Sequence, residues 1–139
     1  MGLFSKKTEP TVLVCEGSAD TLTAVCKTLK KEKFDIVGKT SSGKEGLEKW
    51  IWLRPQITLI GVPLSSELGG VDLLREIRKN DPHAVVLFMG KFMATDAGRD
   101  MVREVIAAGA SDILAKTNLS EVPSEILIKK MRTLSSVLS

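Results

Sequence analysis

The chain has 139 residues, of which 43% are hydrophobic and 27% charged, and this size and composition predict one globular domain with a single core. Its apolar stretches, residues 56–64 and 84–90, are far shorter than the roughly 20 residues that span a bilayer, so we expect a cytoplasmic protein without a membrane partner. The net charge of +3 is spread along the chain and is too small to indicate nucleic-acid binding.

Side chains that usually carry nucleophilic catalysis or bind metals are scarce. The single histidine, His83, follows Asp81 and Pro82 in a predicted turn, which argues against a histidine-based nucleophile or metal centre. Cys15 and Cys26 lie inside apolar patterns without the spacing of metal ligands, and we interpret them as small buried hydrophobes.

Residues 1–10 are polar and end in a proline, and we expect a flexible leader there, followed by one domain at 11–139. The first residues look like an acylation signal, but that pattern requires Ser or Thr where Lys6 stands.

Apolar runs and helical patterns alternate five times along the rest of the chain. The predicted strands are residues 11–15, 34–38, 56–61, 84–90 and 112–115. The first predicted helix starts after a cap at Gly17 or Ser18, and the second and third cover about residues 44–53 and 71–80. The fourth ends at Gly109, and the fifth runs from about Ser120 or Val122 to near the end, with Pro123 in its first turn. Parallel strands need helical crossovers, so this alternation predicts a parallel sheet with helices on both faces.

Helical periodicity assigns the inward faces of these helices. The second helix is predicted to bury Gly46, Leu47, Trp50, Ile51 and Leu53, with Trp52 pointing away from them. The fourth helix is predicted to bury Val102, Val105, Ile106 and Ala108.

Functional residues are expected where the strands end, because sites in such sheets form outside the carboxyl ends of the strands. The residues at those ends are Cys15, Glu16, Gly61, Met89 and Lys116.

Five segments, in this order and at this spacing, resemble the receiver domain of bacterial response regulators. They are Thr11–Glu16, Ser42–Leu47, Arg54–Gly61, Gly70–Arg78 and Ala108–Lys116, and the resemblance extends over residues 11–134. It implies an α/β, flavodoxin-like, doubly wound (βα)5 fold whose five-stranded parallel sheet has the order 2-1-3-4-5.

The site of that family is only partly present. Receivers end the first strand with two acidic residues that hold Mg²⁺, and here Cys15 and Glu16 keep one carboxylate. The phosphate-accepting aspartate corresponds to Gly61, and the hydroxyl residue of the fourth strand corresponds to Met89. The lysine that ends the fifth strand is kept as Lys116. The resemblance therefore implies a vestigial phosphorylation site.

These losses act jointly. Mg²⁺ needs several oxygen ligands, and Glu16 is the only acidic position retained. Phosphoryl transfer needs an oxygen nucleophile, which Gly61 lacks. We therefore expect no aspartyl phosphorylation, weak or absent Mg²⁺ binding, no cofactor and no enzymatic activity. Glu16 and Lys116 either form a direct ion pair or remain as two solvated side chains.

A protein partner is expected at the face formed by the fourth helix, fifth strand and fifth helix. The chain after Met89 looks longer than in other receivers, and Phe92 and Met93 can be exposed there. Thr117 replaces the usual proline after the conserved lysine, and Trp52 is a separate candidate on the second helix. A histidine kinase or another signalling protein fits this surface, and a homodimer is an alternative.

The leading functional hypothesis is a stand-alone receiver-like signalling protein of two-component or phosphorelay type that acts as a protein-binding module, a pseudo-receiver. The alternative is a small-ligand or cofactor-binding protein on the flavodoxin-like fold. A phosphate-binding loop should follow the first strand, but residues 16–20 carry two acids, Glu16 and Asp20, which repel phosphate. A further possibility is modification of Ser65 or Ser66 by a serine/threonine kinase.

Overall fold

The computed structural model describes residues 10–117 and 119–138, and in this part of the chain five strands alternate with five helices. In chain order they are β1 Thr11–Glu16, α1 Ala19–Lys31, β2 Asp35–Thr40, α2 Gly43–Leu53, β3 Ile57–Gly61, α3 Gly70–Asn80, β4 Val85–Gly90, α4 Asp96–Ala107, β5 Asp112–Ala115 and α5 Ser124–Ser136. Pro10 is buried, and its carbonyl accepts a hydrogen bond from the Asp35 amide. The rest of the predicted leader, residues 1–9, lies outside the described residues.

All neighbouring strands are parallel, in the order β2-β1-β3-β4-β5, so the predicted flavodoxin-like fold is confirmed. Alternate residues of β1 enter opposite halves of the core. Val12 and Val14 pack with α1 and α5 on one face, whereas Leu13 and Cys15 pack with α2, α3 and α4 on the other. Every residue of β3 is buried, as expected for a central strand covered on both faces.

Side-chain caps fix where three helices begin, and so where the preceding strand ends are placed. The Ser18 hydroxyl accepts a hydrogen bond from the Thr21 amide, and the Ser42 hydroxyl accepts one from Glu45. Thr95 caps α4 in the same way. Each cap satisfies an amide that has no partner inside its helix.

Several predicted details of the elements are wrong. Ile51 and Leu53 are 48% and 42% exposed, because Gly43, Gly46 and Trp50 form the buried face of α2. Ile106 is 58% exposed.

Two predicted boundaries also differ from the structure. β2 extends to Thr40, and α5 begins at Ser124 with Pro123 as its cap residue rather than in its first turn.

Among the described residues, no helix is both long and apolar enough to cross a bilayer.

Candidate functional site

The strand register brings four of the five predicted site residues together. Gly61 is the register partner of Glu16 in β1 and of Met89 in β4. Lys116 follows β5, and its amide donates to the Gly90 carbonyl at 2.9 Å. The four residues therefore surround one point at the carboxyl edge of the sheet.

Cys15 is not part of this group. Its side chain lies in the core on the opposite face of β1, where an added Cβ on Gly46 would be 2.9 Å from the sulfur. Burial raises the pKa of the Cys15 thiol to about 12, with Glu45 adding to the rise and Lys49 opposing it. Cys15 is thus a protonated core residue.

Glu16 and Lys116 form a direct ion pair inside the protein, the first of the two arrangements left open by the sequence. The Lys116 Nζ atom lies 2.9 Å from both Glu16 carboxylate oxygens and donates its hydrogen bond to Oε1. The two side chains are 2% and 0% exposed. Nζ also donates to the Val62 carbonyl at 2.9 Å, and Oε1 also accepts from the Ser18 amide at 3.2 Å. The pair therefore joins the ends of β1, β3 and β5.

The Glu16 carboxylate fills the space above Gly61. A Cβ added to Gly61 would lie 2.8 Å from the Glu16 Cδ atom and closer still to Oε2. It would also lie 3.2 Å from the Met89 Cε atom. A carboxylate from the first strand thus occupies the position into which a side chain of the third strand would project.

The residues at this site do not fit Mg²⁺. The one carboxylate, Glu16, is already neutralised by Lys116, and the neighbouring Val62 carbonyl is bonded to the same ammonium group. The described residues contain no group of three or more His, Cys, Asp or Glu side chains that could hold a metal ion. Mg²⁺ requires near-octahedral oxygen ligands, which this arrangement does not provide.

A cavity of about 590 Å³ lies over the ion pair. It is lined by Glu16, Gly17, Ser18, Val62, Pro63, Lys91, Met101, Lys116 and Ser120. The loop after β1 is tightly packed here, since a Cβ on Gly17 would lie 2.7 Å from the Pro63 carbonyl carbon. Glu16 places a carboxylate in the lining of this cavity, and the loop after β1 is too tightly packed to surround a phosphate group. Neither feature favours binding of a nucleotide or flavin.

The structure separates the residues predicted for a partner surface. Met93 is 65% exposed, and Thr117 is exposed two residues after the end of β5. Phe92 is instead half-buried against the core, with its ring centroid 6.5 Å from that of Phe88. Trp52 is 87% exposed on α2, a helix that packs on the β2 side of the sheet, so it belongs to a different surface.

Ile106 is an exposed apolar residue on α4 that sequence reasoning missed, because its helical spacing with Val102 and Val105 assigned it to the core. The Val62 carbonyl was missed for another reason. Any residue type supplies a carbonyl, so no sequence signal identifies it.

Ser65 and Ser66 connect the loop after β3 to the start of α2. The Ser65 hydroxyl donates to the Ser41 carbonyl at 2.9 Å, and the Ser66 hydroxyl accepts from the Lys44 amide at 3.2 Å. Both serines are exposed and serve as loop connections.

Comparison with known proteins agrees with this fold. The family model of the response regulator receiver domain matches residues 12–126. The chemotaxis protein CheY of Thermotoga maritima is 30% identical over 105 residues, covering 76% of this chain and 83% of CheY. A protein-glutamate methylesterase/protein-glutamine glutaminase of Archaeoglobus fulgidus is 28% identical over 92% of this chain, which spans only 37% of that protein's length.

Solved structures show the same fold. The response regulator domain of Thermotoga maritima CheB has a TM-score of 0.77 at 24% identity, covering 94% of this chain and 98% of that domain. A chain of the CheX-CheY-BeF3-Mg²⁺ complex from Borrelia burgdorferi has a TM-score of 0.76 at 17% identity, with 89% and 87% covered. The chain therefore belongs to the response regulator receiver domain family of two-component signalling.

Proposed function

We propose that this protein is a pseudo-receiver, a cytoplasmic signalling module that binds a protein partner without being phosphorylated at the third strand and without enzymatic activity. The observation that carries the proposal is the Glu16 carboxylate, which lies over Gly61 and is paired with Lys116 at 2.9 Å.

The chemistry of phosphoryl transfer supports this reading. The transfer needs an in-line oxygen nucleophile and a cation that neutralises the negative charge on the equatorial oxygens of the phosphoryl group. Gly61 has no nucleophile, and the Glu16 carboxylate is fully buried with Lys116 already bound to it. The residues present also do not fit the metal ion.

A fixed site changes how such a module carries a signal. In a working receiver, the phosphoryl group shifts an equilibrium between two existing states. Here the ion pair is an internal contact that holds one arrangement of the strand ends. Partner binding is then constitutive, and the signal comes from the availability of the partner.

The partner surface is assigned to α4, β5 and α5. These elements and the loop before α4 carry exposed apolar side chains, among them Met93, Ile106 and Ile126. The partner is a protein such as a histidine kinase or another signalling protein. The Borrelia neighbour of the same fold was crystallised in a complex that includes CheX.

The proposal is tested by mass spectrometry and amide NMR of the purified chain with Mg²⁺ and a small-molecule phosphodonor, and then with beryllofluoride. A receiver with an aspartate at the acceptor position serves as the positive control. We expect no phosphoryl mass and no shift of the amides at Glu16, Gly61 and Lys116. A phosphoryl mass, or shifts confined to these residues, would contradict the proposal.

A further inference from the structure

The close approach of Glu16 to Gly61 follows from the strand register. The two residues are partners across the parallel pair β1 and β3, so the Glu16 side chain and any side chain added at position 61 project from the same face of the sheet. The 2.8 Å between an added Cβ on Gly61 and the Glu16 Cδ is shorter than the ~3.5 Å at which carbon atoms pack. Met89 Cε, at 3.2 Å, is the free end of a flexible side chain and can move away.

The Glu16 carboxylate cannot move away at similar cost. Its Oε1 atom is held by Lys116 Nζ at 2.9 Å and by the Ser18 amide at 3.2 Å. Displacement of the carboxylate away from Lys116 would leave the Lys116 ammonium, whose side chain is 2% exposed, with only the Val62 carbonyl. A buried charge without its partner is strongly destabilising.

We infer that Gly61 and Glu16 form one coupled unit, in which the glycine that ends β3 is required by the β1 carboxylate that neutralises Lys116. Any side chain at position 61, an acceptor aspartate included, is accommodated only when Glu16 is shortened. Glu16 thus supplies from β1 the counter-charge of Lys116, and the missing side chain on β3 and the buried ion pair are a single feature. This inference deepens the proposed function at the same site, but it does not depend on any partner.

The first test introduces Gly61→Ala into two backgrounds, the natural chain and the Glu16→Ala/Lys116→Met variant, from which both charges are absent. We expect the melting temperature of the natural chain to fall by roughly 5 °C or more, because the new methyl group overlaps the fixed carboxylate. In the second background the same substitution should have little effect, since the space above position 61 is empty.

Gly38→Ala is the matched control. Its Cβ would lie 2.9 Å from Leu53 Cδ1 and 3.1 Å from Leu13 Cδ1, which are both ends of flexible side chains remote from Glu16. Gly38→Ala should change the melting temperature by the same amount in both backgrounds. Equal effects of Gly61→Ala in the two backgrounds would overturn the inference. If Gly61→Ala prevents folding of the natural chain, recovery of folding in the second background is the expected result, and failure to recover contradicts it.

The second test exchanges the strand that supplies the carboxylate. Glu16→Ala leaves Lys116 without its partner, and Gly61→Asp adds a side chain where Glu16 lies, so each single variant should melt below the natural chain. The Glu16→Ala/Gly61→Asp variant should melt above both, because a carboxylate on β3 can then approach Lys116. A double variant no more stable than Glu16→Ala would contradict the inference. Uptake of a phosphoryl group by the natural chain would instead contradict the proposed function alone.

Discussion

Glu16 and Lys116 form an ion pair that is buried as deeply as the apolar core. A buried pair adds little net stability relative to well-packed apolar side chains, whereas removal of one partner costs about 3–5 kcal/mol. We therefore propose that the pair selects one conformation rather than adding net stability. One hydrogen bond joins its two members, the Ser18 amide donates to Glu16, and Lys116 donates to the Val62 carbonyl, so Glu16 Oε1 and the Lys116 ammonium each have two hydrogen-bond partners.

The thiols permit a prediction at the same scale. Burial raises the pKa of Cys15 to about 12 and also raises that of Cys26, where Lys39 and Lys30 oppose the effect. Because the folded-state pKa is raised, each thiol contributes full stability below the unfolded pKa of about 9 and loses it as the pH rises toward the folded pKa. At pH values between the unfolded and folded pKa, only the thiol of the unfolded chain ionises. There, one such cysteine lowers the free energy of unfolding by up to ~1.4 kcal/mol for each pH unit.

Urea unfolding of the natural chain and of Cys15→Ala between pH 8 and about 11 measures this effect. We expect Cys15→Ala to be less stable at pH 8, because a buried sulfur is lost, but to show a shallower decline at higher pH. The same substitution at Cys26 should flatten the decline less, since two lysines, Lys39 and Lys30, oppose the rise of its pKa. Parallel declines for the natural chain and Cys15→Ala would contradict the assignment of Cys15 as a buried, protonated thiol.

At the scale of elements, the loop after β3 and the start of α2 form one unit. The Ser65 carbonyl accepts from the Gly43 amide at 3.0 Å, and the Ser66 hydroxyl accepts from Lys44 at 3.2 Å. Two glycines bracket this unit. A Cβ on Gly43 would lie 2.9 Å from the Leu68 carbonyl carbon, whereas a Cβ on Gly69 would meet no atom within 4 Å.

We therefore predict opposite effects for two glycine substitutions. Gly43→Ala should lower stability by about 1–3 kcal/mol, because the new methyl group overlaps backbone that cannot move independently. Gly69→Ser should raise stability by a few tenths of a kcal/mol, since Gly69 caps α3 without a side-chain hydrogen bond and a serine hydroxyl can supply one. Chemical denaturation measures both changes. Comparable losses for the two variants would show that the loop and α2 are not packed as described.

The elements could largely be predicted from the sequence, because caps and breakers such as Ser18, Ser42 and Gly109 mark their ends. The errors at Ile51 and Leu53 have a common cause. Periodicity identifies an apolar stripe but not how far the sheet extends beneath it, and α2 packs near β2, the edge strand. Residues of such helices can therefore overhang the sheet and stay exposed.

At the scale of the whole molecule, the location of the site was predictable but its internal contacts were not. Parallel topology alone placed Glu16, Gly61 and Lys116 at one edge of the sheet. The sequence could not decide between an ion pair and two solvated side chains. That choice depends on the Val62 carbonyl and the Ser18 amide, which are backbone groups that every residue type except proline offers. The overlap of Glu16 with position 61 likewise required the register of β1 and β3.

The ion pair should also hold the carboxyl edge of the sheet together, and hydrogen exchange can measure this. Lys116 Nζ is bonded to the Val62 carbonyl, the Val62 amide donates to Met89 at 3.0 Å, and the Lys116 amide donates to Gly90 at 2.9 Å. A Glu16→Gln/Lys116→Met variant leaves no unpaired charge. It removes the Lys116 ammonium, which bonds to both Glu16 and the Val62 carbonyl. We expect faster exchange of the amides at positions 62 and 116 through local opening, with unchanged exchange in the middle of β3.

Arg75→Met provides the control for this experiment. It removes an ion pair whose members are about half exposed, with the Arg75 guanidinium 3.2 Å from Asp72 and 3.3 Å from Glu104. Exposed pairs of this kind contribute at most about 1 kcal/mol, so the strand-end amides should exchange as in the natural chain. If the Glu16→Gln/Lys116→Met variant also leaves positions 62 and 116 fully protected, the pair does not hold the strand ends. Constitutive partner binding would then need a source of rigidity other than the buried pair, because backbone hydrogen bonds alone would be keeping the site in one state.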